Sequence, residues 1–142
     1  MISDLQTLSA SLADLDPEAD DFVLRADQLV MSIDPLLGDR VCQPIYHFFE
    51  CHPLSYAGAP GAFVHYVETF YPSYVPALIQ SVRQRPSLNT ILMTNRILNS
   101  PDCITPLRED LIALLGLTAS EQSCASELTE LASKYHARHT PA

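Results

Sequence analysis

Among the residues of this sequence, His65 and Glu68 have the types and spacing most like those of a metal-binding or acid–base site. They lie three residues apart in a segment with helical periodicity, so their side chains can share one face of a helix. Such a pair could bind a metal ion or exchange a proton, but a metal site needs three or four ligands and no matching pair occurs on another predicted helix. We therefore expect His65 and Glu68 to form structural hydrogen bonds or to contact a partner, with metal binding and acid–base catalysis as the alternatives.

Sequence patterns typical of enzymes do not occur in this chain. No serine lies in a Gly-x-Ser-x-Gly elbow, and no glycine-rich loop has the spacing of a phosphate-binding site. The four cysteines form no Cys-x-x-Cys pair, and we interpret them as reduced, mostly buried thiols, with a lone cysteine nucleophile as the alternative. We expect no catalytic residues, no bound metal and no cofactor.

Targeting signals are also lacking at the sequence level. The first residues do not have the basic start and apolar run of a signal peptide. The longest apolar stretch, about residues 111 to 117, is far shorter than the ~20 residues that span a bilayer. We expect a cytoplasmic protein that does not bind a membrane.

Negative charge is concentrated at the beginning of the chain. The 142 residues carry 17 Asp and Glu against 8 Lys and Arg, and residues 1–50 alone hold ten carboxylates and two arginines. Five of these carboxylates lie within eight residues, namely Asp14, Asp16, Glu18, Asp20 and Asp21. This balance argues against nucleic-acid binding, because nucleic acids recruit basic surfaces. The cluster predicts a protein partner with a basic surface, with solubility as the alternative, and Tyr56 and Tyr66 are the predicted anchors of that interface.

The spacing of apolar residues predicts an all-α protein. One domain of residues 1–142 with seven to nine short helices is expected, its consecutive helices antiparallel as in a compact array or a HEAT-like stack. Ser3 is the predicted cap of the first helix, and Gly116 the predicted end of the last but one. Proline pairs predict two further helix starts, at Asp16-Pro17 and Asp34-Pro35. Thr118 with Glu121 predicts a capping box for the last helix.

Two polar features interrupt this apolar pattern. Asn95 and Arg96 lie inside an otherwise apolar helix, and a buried charge must be paired. We expect at least one of them to be buried and hydrogen-bonded, with Glu68 as the favoured acid, and a functional contact is the alternative. The loop at residues 53–61 carries Gly58, Pro60 and Gly61, which suit either the start of a helix or a binding loop.

The central part of the chain resembles a known family. The resemblance lies in the segment Gly58–Glu68 (GAPGAFVHYVE), in Tyr71-Pro72, in residues 81–86 (SVRQRP) and in residues 95–100 (NRILNS). These segments resemble small helical immunity proteins of bacterial polymorphic toxin systems, which include Rhs-type, contact-dependent and type VI secreted toxins. The resemblance covers about residues 45–100, and this chain has Ala62 where the pattern has proline.

The resemblance implies a helical protein without catalytic activity that binds and neutralises a cognate toxin in the cytoplasm. We infer that the shared motif residues hold the scaffold and that the acidic cluster binds the partner. These scaffold residues are Gly58, Pro60, Gly61, His65, Glu68, Asn95 and Arg96. The expected function is occlusion of the toxin's active site or substrate path. A helical adaptor without a toxin partner and a small metal-binding enzyme are the alternatives.

Overall fold

Eight α-helices and one 3₁₀ helix follow one another in a computed structural model that describes residues 1–141. The elements are α1 (Leu5–Ala13), α2 (Phe22–Met31), the 3₁₀ helix (Pro35–Val41), α3 (Cys42–Cys51), α4 (Gly61–Glu68), α5 (Val75–Gln84), α6 (Leu88–Leu98), α7 (Leu107–Ala119) and α8 (Ser126–His139). Within residues 1–141 there is no strand, and β-type pairing is confined to one parallel bridge between Ile2 and Ile33. The prediction of an all-α array is confirmed.

Side-chain caps explain where several of these helices begin. Asp4, not the predicted Ser3, caps α1, since its carboxylate accepts a hydrogen bond of 2.7 Å from the backbone N–H of Thr7. Asp34 caps the 3₁₀ helix in the same way, as its proline pair predicts. Pro86 precedes a complete capping box, in which Ser87 and Thr90 cap each other at the start of α6.

Two predicted helix boundaries are wrong. Residues 14–21 form turns instead of the start of α2, because the Asp16 carboxylate accepts from the nearby N–H of Glu18 and so closes a local turn. The predicted capping box at Thr118 is part of α7, which continues past Gly116 to Ala119. Thr118 is buried there and donates its hydroxyl hydrogen to the Leu114 carbonyl.

The packing order also differs from the expected antiparallel neighbours. In the first half of the chain the principal contacts join helices two apart: α1 packs on α3, α3 on α5, and α2 on α4. In the second half consecutive helices contact one another, with α7 and α8 forming the most extensive pair, and contacts also join helices two apart, α5 with α7 and α6 with α8. Contacts between helices two apart therefore occur throughout the chain, and the second half has in addition strong local contacts, chiefly those of α7 with α8.

Aromatic packing fixes the position of α2. Phe22, its first residue, stacks on Phe48 of α3 with ring centroids 6.1 Å apart and meets Phe63 of α4 edge-on at 6.2 Å. All three rings are buried. Because Phe22 directly follows the acidic residues, this cluster also anchors one end of the acidic segment.

No helix in residues 1–141 is both long and apolar enough to cross a membrane.

Candidate partner-binding surface

The five clustered carboxylates lie on the connection between α1 and α2. Asp14 follows the end of α1, Asp21 precedes α2, and all five side chains are exposed. Within residues 1–141 ion pairs occur only at Glu68, so no base neutralises the cluster. Like charges this close repel one another, and their field extends into solvent over about 8–10 Å. The segment therefore carries a local negative potential.

Apolar side chains continue the exposed surface along α2. Val23 and Leu24 are each 59% exposed and Met31 is 83% exposed, although the opposite side of the helix buries Phe22 and Ala26 in the core. Val23 and Met31 lie on the same side because they are eight residues, about two turns, apart. Exposed apolar side chains beside charged ones match the apolar centre and polar rim of a protein interface.

The loop before α4 completes this surface. Gly58 has a φ of +68°, and a Cβ atom built on it would lie 3.2 Å from Cγ2 of Val23. The loop backbone therefore packs directly on α2, where a glycine allows both the close approach and the left-handed backbone. We call the resulting surface the acidic face: it comprises the five clustered carboxylates, Val23, Leu24, Met31 and Gly58.

The two predicted tyrosine anchors have different surroundings. Tyr56 is 54% exposed and lines a cleft of about 380 Å³ with Leu88 and Leu131. Tyr66 is half-buried, its ring 5.4 Å from that of Phe70 in an edge-to-face contact, and burial raises the pKa of its phenol. Within residues 1–141 no hydrogen bond, ion pair or ring contact joins either tyrosine to the acidic segment. The exposed apolar side chains Val23 and Leu24 of α2 directly follow the carboxylates in the chain.

His65 and Glu68 do lie together, as their spacing predicts. Nδ1 of His65 is 3.6 Å from Oε1 of Glu68, and His65 is largely exposed. The stronger contact of Glu68 is with Arg96, which donates from Nε at 2.7 Å and from Nη2 at 2.9 Å. The predicted pairing of Arg96 with Glu68 is confirmed. This two-pronged contact ties α4 to α6, and it leaves the Glu68 carboxylate committed to a structural role.

Asn95 is the buried member of the polar pair on α6. It is only 4% exposed, and its Oδ1 lies 2.7 Å from Nε2 of His139 near the end of α8. Burial lowers the pKa of His139, and the charges of Arg108 and Arg138 lower it further. A neutral imidazole that donates to the amide oxygen therefore fits this site. Asn95 thus joins α6 to α8, which is a scaffold role.

Pro60 and Gly61 lie at the start of α4, where Pro60 is the N-terminal boundary residue and Gly61 has a φ of +45°.

Within residues 1–141 no group of three or more His, Cys, Asp or Glu side chains is arranged to hold a metal ion.

Comparison with known proteins gives no relative from which a function could be transferred. No family model, no curated protein and no solved structure matches the chain.

Proposed function

We propose that this protein is an immunity protein that binds a cognate toxin effector and neutralises it by covering the toxin's active site or the path of its substrate. The observation that carries the proposal is the acidic face, where exposed apolar side chains adjoin carboxylates that no base of residues 1–141 pairs. The resemblance of residues 45–100 to immunity proteins supports the class of partner.

The negative charge of the acidic face predicts that the partner has a basic surface. A toxin domain that attacks a nucleic acid needs a basic surface to hold its substrate, and an acidic inhibitor can occupy that surface. Long-range attraction between the two also speeds their encounter, which matters for an inhibitor that must act before the toxin does. The partner is therefore a protein with a basic surface around an apolar centre.

The apolar side chains of α2 slow the dissociation of the complex. Desolvated apolar anchors near the centre of an interface contribute most of the binding energy, whereas exposed charges at the rim mainly set the association rate. Leu24 and Met31 are the candidate anchors, because both are exposed on α2; Leu24 lies in its first turn, next to the acidic segment, and Met31 at its other end. We expect charge substitutions to change association and apolar substitutions to change dissociation.

The proposal is tested by co-expressing the protein with the product of the neighbouring open reading frame. Rescue of growth and co-purification of the two proteins are the expected results. A variant with four carboxylates of the acidic face changed to amides should associate more slowly at low salt and should fold normally. The changes are Asp16→Asn, Glu18→Gln, Asp20→Asn and Asp21→Asn.

A matched control removes the same number of charges elsewhere. Four exposed carboxylates outside the acidic face serve for this: Asp102, Glu109, Asp110 and Glu130. The control should associate nearly as fast as the unaltered protein. Absence of both rescue and co-purification would contradict the immunity proposal itself. Equal association rates for the two variants would instead move the toxin-binding surface away from the acidic face, with the Tyr66 side of α4 as the next candidate.

A further inference from the structure

A second surface with different chemistry lies in a cleft of about 650 Å³. The end of α5, the second half of α7 and the start of α8 enclose it, and Leu54 of the loop before α4 forms part of its rim. Its apolar lining includes the buried side chains Val82, Leu114 and Leu128 and the exposed Leu117. We call it the arginine cleft, after Arg83 and Arg85 on its wall.

The two arginines of the cleft have no acceptor of their own. Both are exposed, and within residues 1–141 neither forms an ion pair or a side-chain hydrogen bond. The cleft's carboxylates contact serines rather than these arginines within residues 1–141: Glu50 accepts from the Ser81 hydroxyl at 2.7 Å, and Glu121 accepts from the Ser123 hydroxyl at 3.0 Å. A guanidinium binds a carboxylate through two parallel hydrogen bonds. The arginine cleft therefore suits a segment that places carboxylates next to apolar side chains.

Such a segment occurs on the acidic face of this same chain. Asp20 and Asp21 directly precede α2, and the exposed Val23 and Leu24 follow within its first turn. We propose that a second copy of this chain docks the start of its α2 in the arginine cleft. The aspartates pair with Arg83 and Arg85, and the apolar side chains of α2 cover the apolar lining.

The docking is reciprocal, because the two surfaces adjoin. Leu54 lines the arginine cleft and Gly58 packs on Val23 of the acidic face, and four residues of chain span at most about 14 Å. A two-fold axis near this loop lets each copy insert its α2 into the cleft of the other. The result is a closed dimer with two identical contacts, not an open chain. Direct pairing of α2 with α2 is disfavoured, since it would bring the two acidic segments together.

The dimer is tested with two variants, each of which reverses the sign of the charge on one of the two contacting surfaces. One variant carries Arg83→Glu and Arg85→Glu, and the other carries Asp20→Lys and Asp21→Lys. Sedimentation equilibrium of the unaltered full-length protein should show a mass rising with concentration from 15.7 kDa to twice that value, more readily at low salt. Each variant alone should dimerise about tenfold more weakly or worse, because like charges then face each other in both contacts.

An equimolar mixture of the two variants should recover the dimer, because both contacts again join opposite charges. A control variant with Asp39→Lys and Asp102→Lys, both exposed and outside these surfaces, should dimerise like the unaltered protein. Circular dichroism of each variant checks that it is folded. A protein that stays monomeric at all concentrations, a dimer that both reversals leave intact, or a mixture that stays monomeric would overturn the proposal.

Because the dimer covers Asp20, Asp21, Val23 and Leu24 of the acidic face, dimerisation and toxin binding compete for these side chains. The co-expression experiment measures toxin binding separately, so either proposal can fail without the other.

Discussion

Replacing Arg96 by leucine tests whether the Glu68–Arg96 ion pair stabilises the fold. The pair joins α4 to α6, and α4 has its principal helix contact with α2 alone. Arg96→Leu removes both hydrogen bonds and leaves the Glu68 carboxylate with only the imidazole of His65, 3.6 Å away. The carboxylate cannot fully recover its hydration, because the Glu68 side chain is only 23% exposed.

The expected loss in unfolding free energy is about 2 kcal/mol. Fully exposed ion pairs contribute about 0–1 kcal/mol, and breaking a fully buried pair costs about 3–5 kcal/mol. With side chains 34% and 23% exposed, Arg96 and Glu68 lie between these limits. The two-pronged geometry favours the upper part of that interval for a partly exposed pair. For a chain of this size, about 2 kcal/mol corresponds to a drop of roughly 6 °C in Tm.

Urea unfolding followed by far-ultraviolet circular dichroism measures this loss. Arg25→Leu is the matched control, because Arg25 is exposed and its side chain forms no ion pair within residues 1–141; its effect should stay within about 0.5 kcal/mol. A double-mutant cycle with Glu68→Gln should give a coupling energy of at least about 1 kcal/mol. A loss for Arg96→Leu as small as that of the control would refute the reasoning and show that the pair is solvated.

Three further substitutions probe the scaffold. Gly38→Ala should lower the unfolding free energy by about 1–3 kcal/mol in urea, because φ +59° and ψ −145° suit only glycine, although a Cβ atom there meets no neighbour. Gly116→Val should cost about 1–3 kcal/mol in the same assay, since a Cβ atom at Gly116 already lies 3.0 Å from Nε2 of His136. His139 has a lowered pKa in the fold, so its contribution is present above the ordinary histidine pKa of about 6.5 and is lost as pH falls through the folded value. His139→Gln should therefore flatten the decline of stability in acid, as measured by unfolding at a series of pH values.

The helices were predictable because their apolar residues recur with helical spacing, and at Asp16 and Thr118 tertiary packing adds to the local causes of the boundary errors. At Asp16-Pro17 the cap and proline signals are present, but α2 begins only where Phe22 can stack on Phe48. Thr118 also has the chemistry of a cap, yet it is buried in α7 and bonds one turn back. Tertiary packing determines where these helices begin and end, and the local capping residues in the sequence do not show how the helices pack.

The candidate site was predictable only in part. The carboxylates of the acidic face are visible in the sequence, and so is the pairing of Arg96 with Glu68, since an arginine in an apolar helix needs an acid. The contact of Gly58 with Val23 joins residues far apart in the chain and has no local signal. Leu24 and Met31 could have been identified, because α2 is apolar on both sides and a surface helix normally is not.

The packing order has a consequence for how the chain folds. The contacts among α5 to α8 are mostly between consecutive helices, so they close short loops and can form early. The contacts of α1 to α4 bridge longer stretches of chain and must wait for that framework. We therefore expect the acidic face to assemble after α7 and α8 have paired. We expect its amides to exchange with solvent sooner than those of α7 and α8, so that the surface proposed to bind the toxin would also be the part that opens most easily.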